Sequence, residues 1–177
     1  MPPIVEPFLA ELDQEAQTTR RVLERIPDEK LSWKPHEKSM SIGQLALHTA
    51  SSPGAVCGML AIDNVQLDPA RMSAEVPQPA NCAEILDAHE KSVAAAKEFL
   101  GGLTEERSNG TWRLMAGDHE VVAMPRSVAV RGIILNHWYH HRGQLSVYLR
   151  LLNVPVPVIY GRSADEDPFA QRARAGD

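Results

Sequence analysis

The stretch LNHWYHHRGQL, Leu135 to Leu145, decides how this 177-residue chain is read. Three histidines fall within five positions of a segment otherwise patterned as an apolar helix, predicted from about Ser127 to Asn153. Stepping ~100° per residue from His137 at zero puts His141 at about 40° and Gln144 at about −20°. On the same wheel Val130 and Tyr148 lie at about 20°, Ile133 and Leu151 at about −40°, Ile134 and Leu152 at about 60°. Arg131, Tyr139, Arg142, Ser146 and Arg150 take the opposite side, which reads as a solvated face or a dimer surface. His137 and His141 are thus expected in the middle of the core-facing stripe, with His140 near its edge as a supporting or packing residue.

A buried imidazole has two nitrogens to satisfy, and an unpaired polar group in an apolar core costs about 1–3 kcal/mol. Two imidazoles at i and i+4 share one helix face and can reach one divalent cation. The zinc helix HExxH uses the same spacing, but Trp138 stands where that motif has its glutamate, so a metalloprotease reading fails. A third ligand must come from elsewhere. His48 is the best placed, at the edge of a stripe made by Ile42, Leu45, Ala46, Thr49 and Val56. His89, between Ala88 and Glu90, is expected at the surface, and His36 and His119 fall in connectors. Three neutral imidazoles without a carboxylate leave coordination positions open for water or substrate, as in catalytic sites. Imidazole accommodates zinc or nickel first, and iron, manganese or copper as well. Gln144 is placed to hydrogen-bond a ligand imidazole. The competing readings are a closed, non-catalytic metal site and a packed core whose histidines bond only to one another or to neighbours.

Around this helix the chain shows three more. One spans about Glu6 to Arg25, ending before Pro27. A second begins at Ser41, whose S-x-x-Q spacing to Gln44 is a capping box, and meets Pro53, which predicts a kink or break. A third is capped by Asn81 and ended by Gly101 and Gly102. Residues 63–78, with Pro69 and Pro77, read as a loop. Residues 104–126 hold one hairpin at most, and the Pro-rich VPVPVIYG run is expected to pack back on the body. The resulting expectation is an all-α, four-helix bundle with long connections, in one domain over residues 1–162, followed by a C-terminal tail over 163–177 whose last eight residues fray. Tyr160 is expected to pack there, within reach of the pocket mouth.

Hydrophobic residues make up 44% and charged residues 23% of the chain, within the range of soluble globular proteins. A net charge of −5 offers nucleic acid no basic surface. Two cysteines, Cys57 and Cys82, exclude a zinc ribbon or a disulfide framework, and Cys57 reads as an inert buried thiol. Neither a signal peptide nor a run of ~20 apolar residues is evident, so a cytoplasmic location with no membrane partner is the expectation.

The segments SIGQLALHTA and NHWYHHRGQLSVYLRLLNVPVPVIYG, with the LSWKP connector, resemble the DinB/YfiT-like family of metalloenzymes over essentially the whole chain. The HxxHHRGQL block is the most specific part of the likeness and is intact. The resemblance implies a four-helix bundle, often a homodimer, with a metal held between helices by His48, His137 and His141. It further implies a thiol-dependent enzyme, since some members transfer bacillithiol and relatives use mycothiol. The expected function is a divalent-metal-dependent S-transferase joining a low-molecular-weight thiol to a small electrophilic substrate. A metal-dependent hydrolase and a non-catalytic metal-binding stress-response or interaction protein are the alternatives.

Overall fold

A computed structural model describes residues 5–70 and 75–169. Helix α1 spans Val5–Leu23. A single 3₁₀ turn, Asp28–Lys30, leads to α2, Ile42–Leu60. Strand β1, Asn64–Gln66, precedes α3, Cys82–Gly101, and a short α4, Glu105–Asn109. Strands β2, Thr111–Ala116, and β3, His119–Pro125, form a hairpin. The chain then runs without interruption through α5, Arg126–Ala129, a π-helical stretch, Val130–Asn136, and α6, His137–Leu151. No helix among the described residues is long and apolar enough to cross a membrane.

The molecule is helix-rich but not all-α, which corrects the sequence-based expectation. Its sheet has the order β1-β2-β3, with β1 parallel and β3 antiparallel to β2. The hairpin was legible, but β1 lies within residues expected to be loop. Three residues carry no readable period, and only Val65 of the three is partly buried. What makes them a strand is pairing with residues far along the chain: Arg113 N–H bonds the Asp63 carbonyl at 2.9 Å and Leu67 N–H the Met115 carbonyl at 2.7 Å.

Helix α3 packs against both α1 and α2, and α6 against the same two. Their apolar faces form two clusters. One, under the sheet, includes Leu12, Leu60, Leu100, Trp112, Ile134 and Trp138. The other, at the far end, includes Leu23, Ile42, Leu45, Ile85, Leu145 and Leu149. Between them each helix buries polar groups: Glu15 and Thr19 on α1, Thr49 and Ser52 on α2, His89 and Ser92 on α3, His141 and Arg142 on α6. A polar layer therefore crosses the interior at mid-height.

Two caps fix where α2 and α3 begin. Ser41 Oγ accepts from Gln44 N–H at 3.1 Å while Gln44 Oε1 accepts from Ser41 N–H at 2.9 Å. Asn81 Oδ1 accepts from Glu84 N–H at 2.9 Å. Such caps contribute about 0.5–2 kcal/mol each. Pro53 does not break α2. Ser92 of α3 enters the helical ladder there: its Oγ accepts from Gly54 N–H at 2.8 Å and donates to the Ser51 carbonyl at 3.0 Å. A neighbouring side chain thus satisfies the backbone groups that proline disturbs.

Beyond α6, Asn153 takes a left-handed conformation with φ 57°, and Val154 N–H bonds the Leu149 carbonyl at 2.9 Å, ending the helix. The following segment returns over the body, with Arg21 donating to the Val158 carbonyl at 3.2 Å. In the tail, Asp165 accepts from Val156 N–H and pairs with Arg150, and Glu166 accepts from Val158 N–H and pairs with Arg25. The fraying expected of the last eight residues lies outside the described residues.

Candidate metal centre

His48 of α2 and His137 and His141 of α6 meet at the level of the polar layer. His141 Nε2 lies 2.9 Å from His137 Nε2 and 3.2 Å from His48 Nε2. The three rings stand nearly perpendicular to one another, with centroids 4.4–5.2 Å apart. Gln144 Oε1 accepts from His141 Nδ1–H at 2.8 Å, which leaves His141 Nε2 a bare lone pair aimed at the other two rings. All three ligand atoms lie within 4.8 Å of one another, and among the described residues no carboxylate or thiol joins them.

The donor set suits a metal ion. Legs of 2.0–2.1 Å to imidazole nitrogens at tetrahedral angles give N···N edges of about 3.3–3.4 Å. The two observed edges come within about 0.5 Å of that figure. Burial lowers the pKa of all three imidazoles, that of His137 to about 4, with the neighbouring histidines pushing His48 and His137 the same way. The rings are therefore neutral at pH 7 and present lone pairs rather than protons. His137 Nδ1 is buried without a partner, so that ring's bonding capacity is directed to the cluster.

The i,i+4 histidine pair sits differently from its expected place in the helix. Within α6 the fully enclosed residues are Trp138, Arg142, Leu145 and Leu149, whose mean direction is about 100° round from His137. The histidines occupy the rim of the buried stripe, half-buried, where a cavity can reach them. Upstream, the π-helical stretch holds an extra residue per turn, so a wheel stepped at one constant angle loses phase across it.

That cavity, about 380 Å³, opens against His48 and His137 between α2 and the sheet. It lies in the size range of small-molecule sites, roughly 300–1,000 Å³. Sequence reasoning missed its outer wall, since Val65 and Leu114 belong to β1 and β2 and their pairing is long-range.

The remaining candidates go elsewhere. His89 is buried, not exposed: 3% of its surface is accessible, its Nε2 lies 3.1 Å from the Ala16 carbonyl, and its Nδ1 has no partner. Arg142 is not on a solvated face. It is 1% exposed, ion-paired with Glu15, bonded to Thr19 Oγ1 at 3.2 Å, and held between the rings of Tyr139 and Tyr160. Its partners come from α1 and the C-terminal strap, over 120 residues before it and 18 after it, beyond what a helical wheel sees. Tyr160 directs its hydroxyl to Glu15 and Arg142 rather than to the cavity. His36 and His119 are exposed, away from the cluster, and His140 is exposed with its ring 4.9 Å from that of His141. Cys57 is buried in apolar surroundings that push its thiol up to about 12, so it stays protonated and takes no part.

Comparison with known proteins places this arrangement. Three solved DinB-like structures superpose over most of the chain. One from Bacillus cereus ATCC 10987 has a TM-score of 0.70 at 24% identity, covering 88% of this chain and 97% of that one. Another from Bacillus subtilis has a TM-score of 0.64 at 20% identity, covering 89% and 99%. A third from Exiguobacterium sibiricum 255-15 has a TM-score of 0.59 at 18% identity, covering 85% and 95%. The uncharacterized protein YrdA of Bacillus subtilis (strain 168) is 24% identical over 159 residues, 90% of this chain and 89% of that one. The sequence pattern of the DinB family matches residues 1–172, so the chain belongs to the DinB family.

Proposed function

We propose that His48, His137 and His141 hold one divalent metal ion, zinc or nickel, and that the protein is an S-transferase joining a low-molecular-weight thiol to a small electrophile. The observation that carries this reading is the convergence of three neutral Nε2 atoms, 2.9 and 3.2 Å apart along two edges, at the end of an open cavity. Three protein ligands leave coordination positions free, and the cavity gives a second reactant somewhere to sit. A closed, purely structural site would have neither. A divalent ion in this position supplies Lewis acidity, holding a bound thiol as its thiolate.

The chain's own residues do the rest. Burial keeps the imidazoles unprotonated, and Gln144 fixes the tautomer and tilt of His141. Ser51 and Ser52 spend their hydroxyl protons on the Leu47 and His48 carbonyls, so they face the cavity as acceptors. The apolar walls exclude water from the reacting pair. The thiolate sulfur forms a bond to the electrophilic carbon of the substrate, and the leaving group departs with the displaced electron pair. In this reading the four long helices form a four-helix bundle, and two copies assemble as a homodimer in the cytoplasm.

The test is elemental analysis of protein purified without a histidine tag, followed by a panel of thiols against simple electrophiles. One metal per chain and turnover that requires thiol are expected. Turnover without thiol would assign a hydrolase instead. His137→Ala should abolish stoichiometric metal binding and leave the helical content, while His36→Ala changes neither. Tight binding of one equivalent by the His137 variant would refute the ligand set.

A further inference from the structure

The cavity beside the histidines has a graded lining. From α2 it takes His48, Ser51, Ser52, Ala55, Val56 and Met59, residues three or four apart that share one helical face. The polar members sit at the metal end and the apolar members up to 11 residues further along the helix. Val65, Leu67 and Leu114 face them from the sheet side. Among the described residues that line it, none is Lys or Arg, and the sole carboxylate is Asp68. An anionic tail would enter with no counter-ion and against a like charge, whereas a neutral apolar body gains contact along the whole wall.

We propose that this cavity is the electrophile site and that it selects uncharged, largely apolar molecules, with Ala55 setting the depth available to them. The assignment rests on the reading just given for the three histidines, but the cavity binds on its own physical terms. Low-molecular-weight thiols carry amino, carboxyl or sugar groups, for which the walls offer no partners, so the thiol approaches from the solvent side of the histidines. The size agrees, since 380 Å³ at protein packing density holds on the order of 15 non-hydrogen atoms. Ala55 is exposed to the cavity on one side of α2, two helical turns from His48, so changes there alter the space without touching a metal ligand.

Two non-reactive probes of one shape separate charge from size: methyl 2-naphthyl sulfone, which is neutral, and naphthalene-2-sulfonate, which is anionic. Their binding is measured by calorimetry on the full chain, with zinc stoichiometry determined on the same samples. The sulfone is expected to bind at least tenfold tighter than the sulfonate. Ala55→Phe should weaken the sulfone at least tenfold, and Ala55→Lys should close the gap between the two probes, both with zinc stoichiometry unchanged. Equal affinity for the two probes, or an Ala55→Phe variant that binds the sulfone like the parent, overturns the assignment. Protein that holds one zinc and binds neither probe also overturns it and leaves the metal site standing. Protein that takes up no metal yet shows these preferences supports the cavity assignment and sinks the metal reading.

Discussion

Replacing Arg142 by methionine should cost about 3–5 kcal/mol, the scale for removing one partner of a buried ion pair. The magnitude follows from what is left behind. Arg142 is 1% exposed, and its guanidinium pairs with Glu15, donates to Thr19 Oγ1 at 3.2 Å and to the Glu15 carbonyl at 3.3 Å, and reaches the Tyr160 hydroxyl. Methionine fills most of the volume but leaves the Glu15 carboxylate, 4% exposed as a residue, with the Tyr160 hydroxyl at 2.9 Å as its remaining side-chain donor. For a chain of this length, each kcal/mol moves Tm by about 2–4 °C, so a fall of about 6–20 °C is expected. Urea titration followed by tryptophan fluorescence reads the loss, since Trp112 and Trp138 are both buried. Adding Glu15→Gln to Arg142→Met should recover at least half of it, because the neutral amide still accepts from Tyr160 and no charge is stranded. A loss under about 1 kcal/mol, the scale of an exposed pair, would show that Arg142 sits in solvent after all and refute the reasoning.

Gly54→Ala should destabilise by about 1–3 kcal/mol, because its Cβ would meet the Ser92 Cα and carbonyl oxygen at 3.0 Å each, and neither can move aside. Gly58→Ala, four residues on with nothing within 4 Å, should instead gain up to about 1 kcal/mol; equal effects in urea melts would defeat the comparison. Gln144→Leu should weaken metal binding about 10–100-fold in a chelator competition, with helical content preserved, and an unchanged affinity would remove Gln144 from the site. His89 titrates in the folded chain below its unfolded pKa of about 6.5, chiefly because it is buried. The unfolded chain therefore takes up the proton first. Stability is intact above pH 6.5 and falls as the pH drops from there toward the folded pKa. His89→Gln keeps a donor for the Ala16 carbonyl and removes the titration, so its stability relative to wild type should rise from pH 7.5 to 5.5; a constant difference would contradict the burial argument.

Local signals survived folding intact. The Ser41–Gln44 capping box, the Asn81 cap and the Pro-broken connectors placed the starts of α2 and α3, because each depends on residues three or four apart. The histidine set was legible for the same reason, once His48 was sought on a facing helix. What the sequence hid was long-range. Arg142 looked solvent-facing because its buried partners lie on α1 and the C-terminal strap, and the cost of enclosing its charge is met only there. Arg126 hides in the same way, 2% exposed and tied to the Leu60 carbonyl and Asp63 more than 60 residues earlier. β1 was invisible because three residues carry no period of their own. His89 seemed exposed by its charged neighbours, yet those flank it around the helix while the ring points inward.

The π-helical stretch Val130–Asn136 has a further consequence for how this chain can change. It stands between the hairpin that walls the cavity and the two histidines that end at it. Deleting one residue there would let the coil relax to ordinary pitch, and so would look harmless by propensity alone. It would also turn everything downstream by about 100° against everything upstream. Either the imidazole pair would swing away from His48 or the hairpin would leave its seat on α2. The length of this segment is therefore held by the site, and single-residue deletions within it should be far less tolerated than substitutions at its exposed positions.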